Sequence, residues 1–256
     1  MRLTSTSGAI LFEDDSPTIN STLRNAINAA TCLDGLDLDS CQITDLGDKP
    51  TACKYWMLRE VIFTGVTSQL SFTHCTIHNC KFKDCDNSVF NFSNMTAAVF
   101  DINETTKIQR LGFYCTALYN CSFRKSYLDR VCFDACNLTF CDFTEAVFAN
   151  TNIMSSAIAS CTLRNAKLDG LHLHSMHLTR SCTGLSRVAE VAFTGHGAGG
   201  RTLYGIIQNP GDPILLLCGC FTGNEKALWK FIEEGSPAMR GSRTKALETV
   251  LSLLKD

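Results

Sequence analysis

The side chains best equipped for chemistry are thiols and imidazoles: the 256-residue chain holds 15 cysteines and 6 histidines. Cys218-Gly219-Cys220 puts two thiols on one face of an apolar run, and His196 could add a third ligand. Zinc sites more often use CxxC with a second pair, and no fourth ligand is evident, so these read as core thiols. Gly195-His196-Gly197-Ala198-Gly199-Gly200 matches GxGxxG literally. A dinucleotide site needs a helix start straight after it to hold the pyrophosphate. Arg201-Thr202-Leu203-Tyr204 reads as a strand instead, so the glycine run reads as a loop between strands. His172, His174 and His177 flank large apolar residues and should point outward as surface imidazoles. No nucleophile–base pair, P-loop, HExxH or paired-carboxylate signature is present. No catalytic, cofactor-binding or metal-ligating residue is therefore assigned, and the chain reads as a non-enzyme.

What positions these residues is a period of five. From Phe113 every fifth residue is Phe, Leu or Ile, through Leu118, Phe123, Leu128, Phe133, Leu138, Phe143, Phe148, Ile153, Ile158, Leu163, Leu168 and Leu173 to Leu178. A second, usually smaller set precedes each by two: Thr116, Cys121, Ser126, Val131, Cys136, Cys141, Ala146, Thr151, Ser156, Cys161 and Ala166. Five fits neither a helix nor a simple strand, so the chain must turn a corner at each repeat. The large centre and the small residue two before it share the inward side, because strand side chains alternate. Four such sides close a square coil of twenty residues. Coils stack at about 4.8 Å through parallel main-chain hydrogen bonds. No coil buries its inward row alone, so stacking is obligatory.

The runs CSFRK (121–125), CNLTF (136–140), CDFTE (141–145), CTLRN (161–165) and AKLDG (166–170) make the chain resemble the pentapeptide-repeat family. The resemblance implies a mainly β fold, a right-handed quadrilateral β-helix. The N-terminal TLRNAINAA and the C-terminal GRTLYGIIQ and LLLCGCF are similar to phage-type members with a C-terminal extension.

The thiols fall into this frame. Cys41, Cys75, Cys80, Cys85, Cys121, Cys136, Cys141 and Cys161 sit at the small inward position, and Cys121, Cys141 and Cys161 should stack in one column. An odd count and no export signal in MRLTSTSGAILFEDD predict reduced thiols and a cytoplasmic protein. No segment has the roughly 18 apolar residues needed to span a bilayer, so no membrane partner is expected. The formal net charge of -2 indicates neither a nucleic-acid binder nor an acidic mimic.

Three parts are expected. Residues 1–30 form a cap, with Ala9–Phe12 as an added strand and a helix capped by Asp15 or Ser16 whose apolar face is Ile19, Leu23, Ala26, Ile27 and Ala30. Residues 31–180 form the β-helix, irregular at 44–56 and 103–110. Its early centres are Leu33, Leu38 and Ile43, then Met57 and Ile62, then Phe72, Ile77, Phe82 and Phe92. Thr44–Tyr55 reads as an excursion. Phe90 and Phe100 look too bulky for the small position, and eleven residues from Ile102 to Phe113 imply a bulge around Glu104–Gln109. Residues 181–256 form an α+β module: strands Val188–Thr194, Arg201–Gln208 and Ile214–Phe221, a turn at Asn209–Asp212, then helices to Glu234 and from Thr244 to Leu254.

Charge is spread unevenly over the square. Side A comprises 111–115, 131–135, 151–155 and 171–175; side B comprises 116–120, 136–140, 156–160 and 176–180. Sides C (from 121) and D (from 126) follow and hold Arg124, Lys125, Asp129, Arg130, Asp142, Glu145, Arg164, Lys167 and Asp169. Sides A and B hold only Asp134 and Arg180, and present Tyr114, Tyr119, Phe140, Met154 and His174. That is the composition of an interface core or a covered surface. The C-terminal module, a protein partner or a second copy in a homodimer could cover it. The expected function is non-catalytic protein binding, and the phage-type resemblance implies a bacterial host protein as target. The alternatives are duplex-DNA mimicry against a type II topoisomerase, as the quinolone-resistance branch implies, and a small-ligand or metal site in the C-terminal module. Mimicry needs an acidic stripe, yet residues 106–180 carry five acidic and eight basic residues.

Overall fold

The computed structural model describes residues 1–66, 69–85, 88–102, 111–174, 177–178, 182–194, 200–219 and 221–255. Its body is a four-sided β-solenoid. Side B is a ten-stranded sheet, side A a seven-stranded one, side C a four-stranded sheet continued by single bridges, and side D a two-stranded pair. Within the solenoid the strands are parallel and paired centre to centre, as in Phe113↔Phe133 and Leu118↔Leu138.

Coil length changes along the shaft, and one side absorbs every change. On side B, Leu38 pairs with Leu58, twenty residues on; Leu58 with Ile77, nineteen; Ile77 with Met95, eighteen; Met95 with Leu118, twenty-three; later partners are twenty apart. The step from a side-A to a side-B centre stays at five, as from Phe72 to Ile77 and from Phe90 to Met95. The path across side D is nine residues from Phe63 to Phe72, eight from Phe82 to Phe90, thirteen from Phe100 to Phe113 and ten from Phe123 to Phe133.

These slips correct the early register. Leu58 and Phe63 are fully buried, whereas Met57 is half-buried and Ile62 exposed. Phe90 and Phe100 are centres, and Phe92 is exposed. Ile102 takes the small inward position, since its carbonyl accepts from Tyr127 N one residue past Ser126. Thr51–Lys54 is a side-A strand with Cys53 as its buried centre, so Thr44–Tyr55 is only partly an excursion. Glu104–Gln109 lies outside the described residues.

Phenyl rings fill the shaft in two columns. Phe63, Phe82, Phe100, Phe123 and Phe143 stack at 5.1, 5.1, 4.7 and 5.0 Å. Phe72, Phe90, Phe113 and Phe133 stack at 4.9, 5.1 and 4.9 Å. Rings of one column meet those of the other edge to face, as Phe90 does Phe82 at 5.4 Å. Both arrangements suit the ring quadrupole.

The small position carries a second requirement. Thr116, Ser126, Thr151 and Ser156 donate their hydroxyls to Phe90 O, Phe100 O, Leu128 O and Phe133 O of the preceding coil. The thiols of Cys75, Cys136, Cys141 and Cys161 do likewise to Cys53 O, Phe113 O, Leu118 O and Leu138 O. A small donor fits where a coil turns its carbonyl inward. Every described cysteine is a free thiol, and Cys141 N donates to Cys161 Sγ at 3.3 Å within the expected column. Burial pushes the Cys75 and Cys80 thiols up to about 11 and Cys136 to about 12.

Both ends are closed. At the start, Arg2–Ser5 and Ile10–Glu13 form a hairpin antiparallel to Leu36–Asp39. Helix α1 (Ile19–Asn28) lays Leu23 and Ala26 over the first coil. Its cap is Thr18, which accepts from Ser21 N, not Asp15 or Ser16. Asp14 instead accepts from Ser16, Thr22 and Asn25, bonds that hold its carboxyl well below the usual range.

At the far end sits an antiparallel sheet of Arg187–Thr194, Gly200–Ile207, Leu215–Cys218 and Phe221–Gly223. Ile214–Phe221 is thus two strands, split at Gly219. Alternation assigns the two faces. Tyr204, Ile206 and Leu217 join the shaft core, while Leu203, Leu216 and Cys218 pack under helices α2 (Glu225–Glu234) and α3 (Pro237–Lys255). Helix α3 starts seven residues before Thr244, with Pro237 at its first position, where a missing N–H costs nothing. Gly219 N donates to Leu173 O, Thr222 Oγ1 to Leu171 O at 2.6 Å and Gln208 Nε2 to Ala166 O at 2.7 Å. These donors satisfy carbonyls that a next coil would otherwise take.

Candidate functional site

The last residue of each side makes the corner. Among the described residues, twenty non-glycine ones have φ between 47° and 60°, including Tyr55, His74, Phe92, Cys115, Ala135, Phe140 and Ser155. None is Val, Ile or Thr, for which the left-handed region is most strained. The corner N–H offsets part of that cost by bonding to the next coil, as Phe92 N does to Tyr114 O at 2.9 Å. The corner side chain is thrown outward.

On the edge between sides A and B this builds an aromatic ladder. Tyr55 and His74 stack at 5.5 Å, and His74 and Phe92 at 5.2 Å. Tyr55 is 59% exposed and Phe92 57%. Beyond them the ring of Tyr114 lies over Gly112, where a Cβ would come within 2.6 Å of Tyr114 Cε2. Burial against the wall, aided by the neighbouring Cys132 thiol, pushes the Tyr114 hydroxyl up. On side B, Tyr119 and Phe140, each 51% exposed, meet edge to face at 5.4 Å. Across the five coils centred on Phe72, Phe90, Phe113, Phe133 and Ile153, Asp134 is the only Asp, Glu, Lys or Arg on sides A and B. Side C pairs its charges instead, with Arg124 and Lys125 within 3.9 and 3.7 Å of Glu145.

The C-terminal module closes the shaft end and leaves this wall open. Tyr114, Tyr119 and Phe140 stand on it, and Met154 is half-buried within it. His174 does not belong to the open surface. It lies half-buried under the module, beside Gly219 and Arg201. Burial, with the nearby charges of His172 and Arg201, lowers its pKa. His172 is also half-buried rather than outward in solvent, with its Nδ1 enclosed and unpartnered. The five-residue count does not single out the ladder residues Tyr55 and His74, and it takes Phe92 as an inward centre, because it runs in the wrong register upstream of Phe113. Their signal was a corner position that avoids β-branched residues. Cys218 is buried beneath the helices, while Cys220, His196 and the glycine run at 195–199 lie outside the described residues. Among the described residues no group of three or more His, Cys, Asp or Glu could hold a metal ion, and no helix is long and apolar enough to cross a membrane.

A four-sided parallel solenoid with a phenyl-filled shaft defines the class. Residues 132–170 match the family model for pentapeptide repeats, in 8 copies, and the shaft is a pentapeptide-repeat solenoid. No curated protein matches the chain. Three solved structures to which it is similar are as follows. A trypsin-treated form of QnrB1, a plasmid-mediated fluoroquinolone resistance protein, is 14% identical over 56% of this chain and 90% of that one, with a TM-score of 0.29. HetL, a pentapeptide repeat protein involved in heterocyst differentiation regulation from Nostoc sp. strain PCC 7120, is 14% identical over 62% and 94%, at 0.18. ORF18 of Geobacillus virus E2 is 12% identical over 84% and 73%, at 0.25. Likenesses of this size say nothing of what the protein binds.

Proposed function

We propose that the protein is a non-catalytic binding module that engages another protein through the wall formed by sides A and B. The observation that carries this is the uncovered five-coil wall with Asp134 as its one formal charge and the rings of Phe92, Tyr114, Tyr119 and Phe140 on it. Interfaces concentrate their energy in such aromatic anchors, and a wall preformed by stacked strands loses little entropy on binding. The target class is a bacterial host protein, a defence or DNA-processing enzyme, as the phage-type layout of cap and extension implies. Duplex mimicry of DNA is disfavoured, because it needs carboxylates spaced like phosphates and the wall has one. A capture experiment from bacterial lysate tests the reading. The parent chain should retain a specific protein that Tyr119→Glu and Phe140→Glu lose at unchanged Tm. Equal capture by all three would refute it.

A further inference from the structure

Four thiols run in file along the inside of side C. Cys121, Cys141 and Cys161 hold the small inward position in successive coils and are fully buried. Cys182 takes that place in the next coil, since Thr183 pairs in parallel with Thr162 and Thr183 N donates to Cys161 O at 2.8 Å. The sulfurs touch in sequence: Cys141 hydrogen-bonds with Cys121 and Cys161, and Cys161 with Cys182. Only the last one meets solvent. Cys182, 7% exposed, opens on a cleft of about 260 Å³ lined also by Leu185, Ser186, Arg187, Val188 and Leu253. Arg187 brings a guanidinium into that cleft, a setting that draws a thiol toward thiolate. We propose that Cys182 and Cys161 are an oxidisable pair, a site where hydrogen peroxide, entering through the cleft, makes a disulfide between adjacent coils.

The steps balance. The Cys182 thiolate attacks one peroxide oxygen, the O–O bond breaks, and the second oxygen leaves as water, which gives a sulfenic acid. The Cys161 sulfur then attacks the Cys182 sulfur, and the sulfenic hydroxyl leaves with the Cys161 proton as a second water. Two thiols are oxidised to one disulfide, and one peroxide is reduced to two waters. Backbone geometry permits the bond. Paired parallel strands stand about 4.8 Å apart, within the roughly 4.4–6.8 Å Cα separation of disulfides, and both side chains point into the shaft. Hydrogen bonds with the Cys141 and Cys182 thiols lower the pKa of Cys161, which suits it to be the second nucleophile. The size of the cleft selects a small oxidant, because a bulky disulfide cannot align with a sulfur so nearly enclosed.

Hydrogen peroxide added to the folded full chain, followed by alkylation and non-reducing peptide mass spectrometry, is the test. Cys182 should oxidise at least about tenfold faster than the enclosed Cys121, and should appear linked to Cys161 with the loss of two hydrogens. The exposed Cys32 and Cys115 report that peroxide is active. Alanine already fills the same inward position at Ala146 and Ala166, so Cys161→Ala and Cys182→Ala should both fold, which circular dichroism checks. Cys161→Ala should leave Cys182 as a sulfenic acid that dimedone traps. Cys182→Ala should keep Cys161 reduced. Cys182 oxidised no faster than Cys121, a Cys182 that oxidises without linking to Cys161, or a Cys161 that oxidises equally in Cys182→Ala would each overturn the proposal.

Discussion

Replacing Phe90 by alanine, beside the same change at Phe92, tests the slipped register directly. A strict five-residue count puts Phe92 inside; the structure puts Phe90 there. Phe90 is fully buried, stacked on Phe72 at 4.9 Å and Phe113 at 5.1 Å, and edge-on to Phe82 at 5.4 Å and Phe100 at 6.0 Å. Truncating a core phenylalanine costs about 3–5 kcal/mol, rising with the cavity left behind. The main-chain ladder holds the coils apart, so the cavity cannot collapse and the upper half of that range is expected. Phe92 is 57% exposed and touches His74 at 5.2 Å. The remaining burial supports a loss of about 1 kcal/mol or less. Guanidinium unfolding followed by Trp56 fluorescence reads both, since Trp56 is buried and edge-on to Phe72 at 6.3 Å. A Phe92→Ala loss equal to or larger than that of Phe90→Ala would refute the assignment of coils between Phe63 and Phe113.

The buried thiols predict alkaline lability. Folding raises Cys75 and Cys80 to about 11 and Cys136 to about 12. Their stabilisation is complete below the ordinary thiol pKa and is lost as pH climbs toward those values, because the unfolded chain ionises first. Each thiol should contribute a slope of about 1.4 kcal/mol per pH unit above roughly pH 9; urea unfolding against pH measures it, and Cys136→Ala should lower the measured slope by about that amount. Gly184→Ala should destabilise by more than about 2 kcal/mol, because Gly184 has φ +81° and a Cβ there would lie 2.3 Å from Arg164 N; chemical denaturation checks this. Thr222→Val removes the bond to Leu171 O and should cost about 1–2 kcal/mol, with hydrogen exchange rising in the module before the shaft.

The regular half of the shaft was legible because nothing is inserted there: from Phe113 to Leu178 each side has five residues. Upstream, side D loses one residue, then two, then gains three, and local composition hides each slip. Met57-Leu58 and Ile62-Phe63 offer two apolar residues side by side, so either register looks sound. Phe90 and Phe92 are two apart, so a count that has slipped by two still lands on phenylalanine. The uncharged wall was visible from the charge pattern, with Tyr114, Tyr119, Phe140 and Met154 on it. What covers the wall was not, because the position of the module depends on Tyr204, Ile206 and Leu217 meeting the last coil. That contact removes His174 from the open surface, and no period in the sequence encodes it. Gly219 likewise splits an apolar run that reads as one strand.

Hydroxyl-radical footprinting of the full chain at low and high protein concentration tests the central claim most directly, that a phenyl-filled shaft bears an open aromatic wall. At low concentration Phe92, Tyr119 and Phe140 should be oxidised, while Phe90, Phe113 and Phe133 stay protected at every concentration. Phe90 oxidised as readily as Phe92, or a dilute chain with Tyr119 and Phe140 protected, would contradict it.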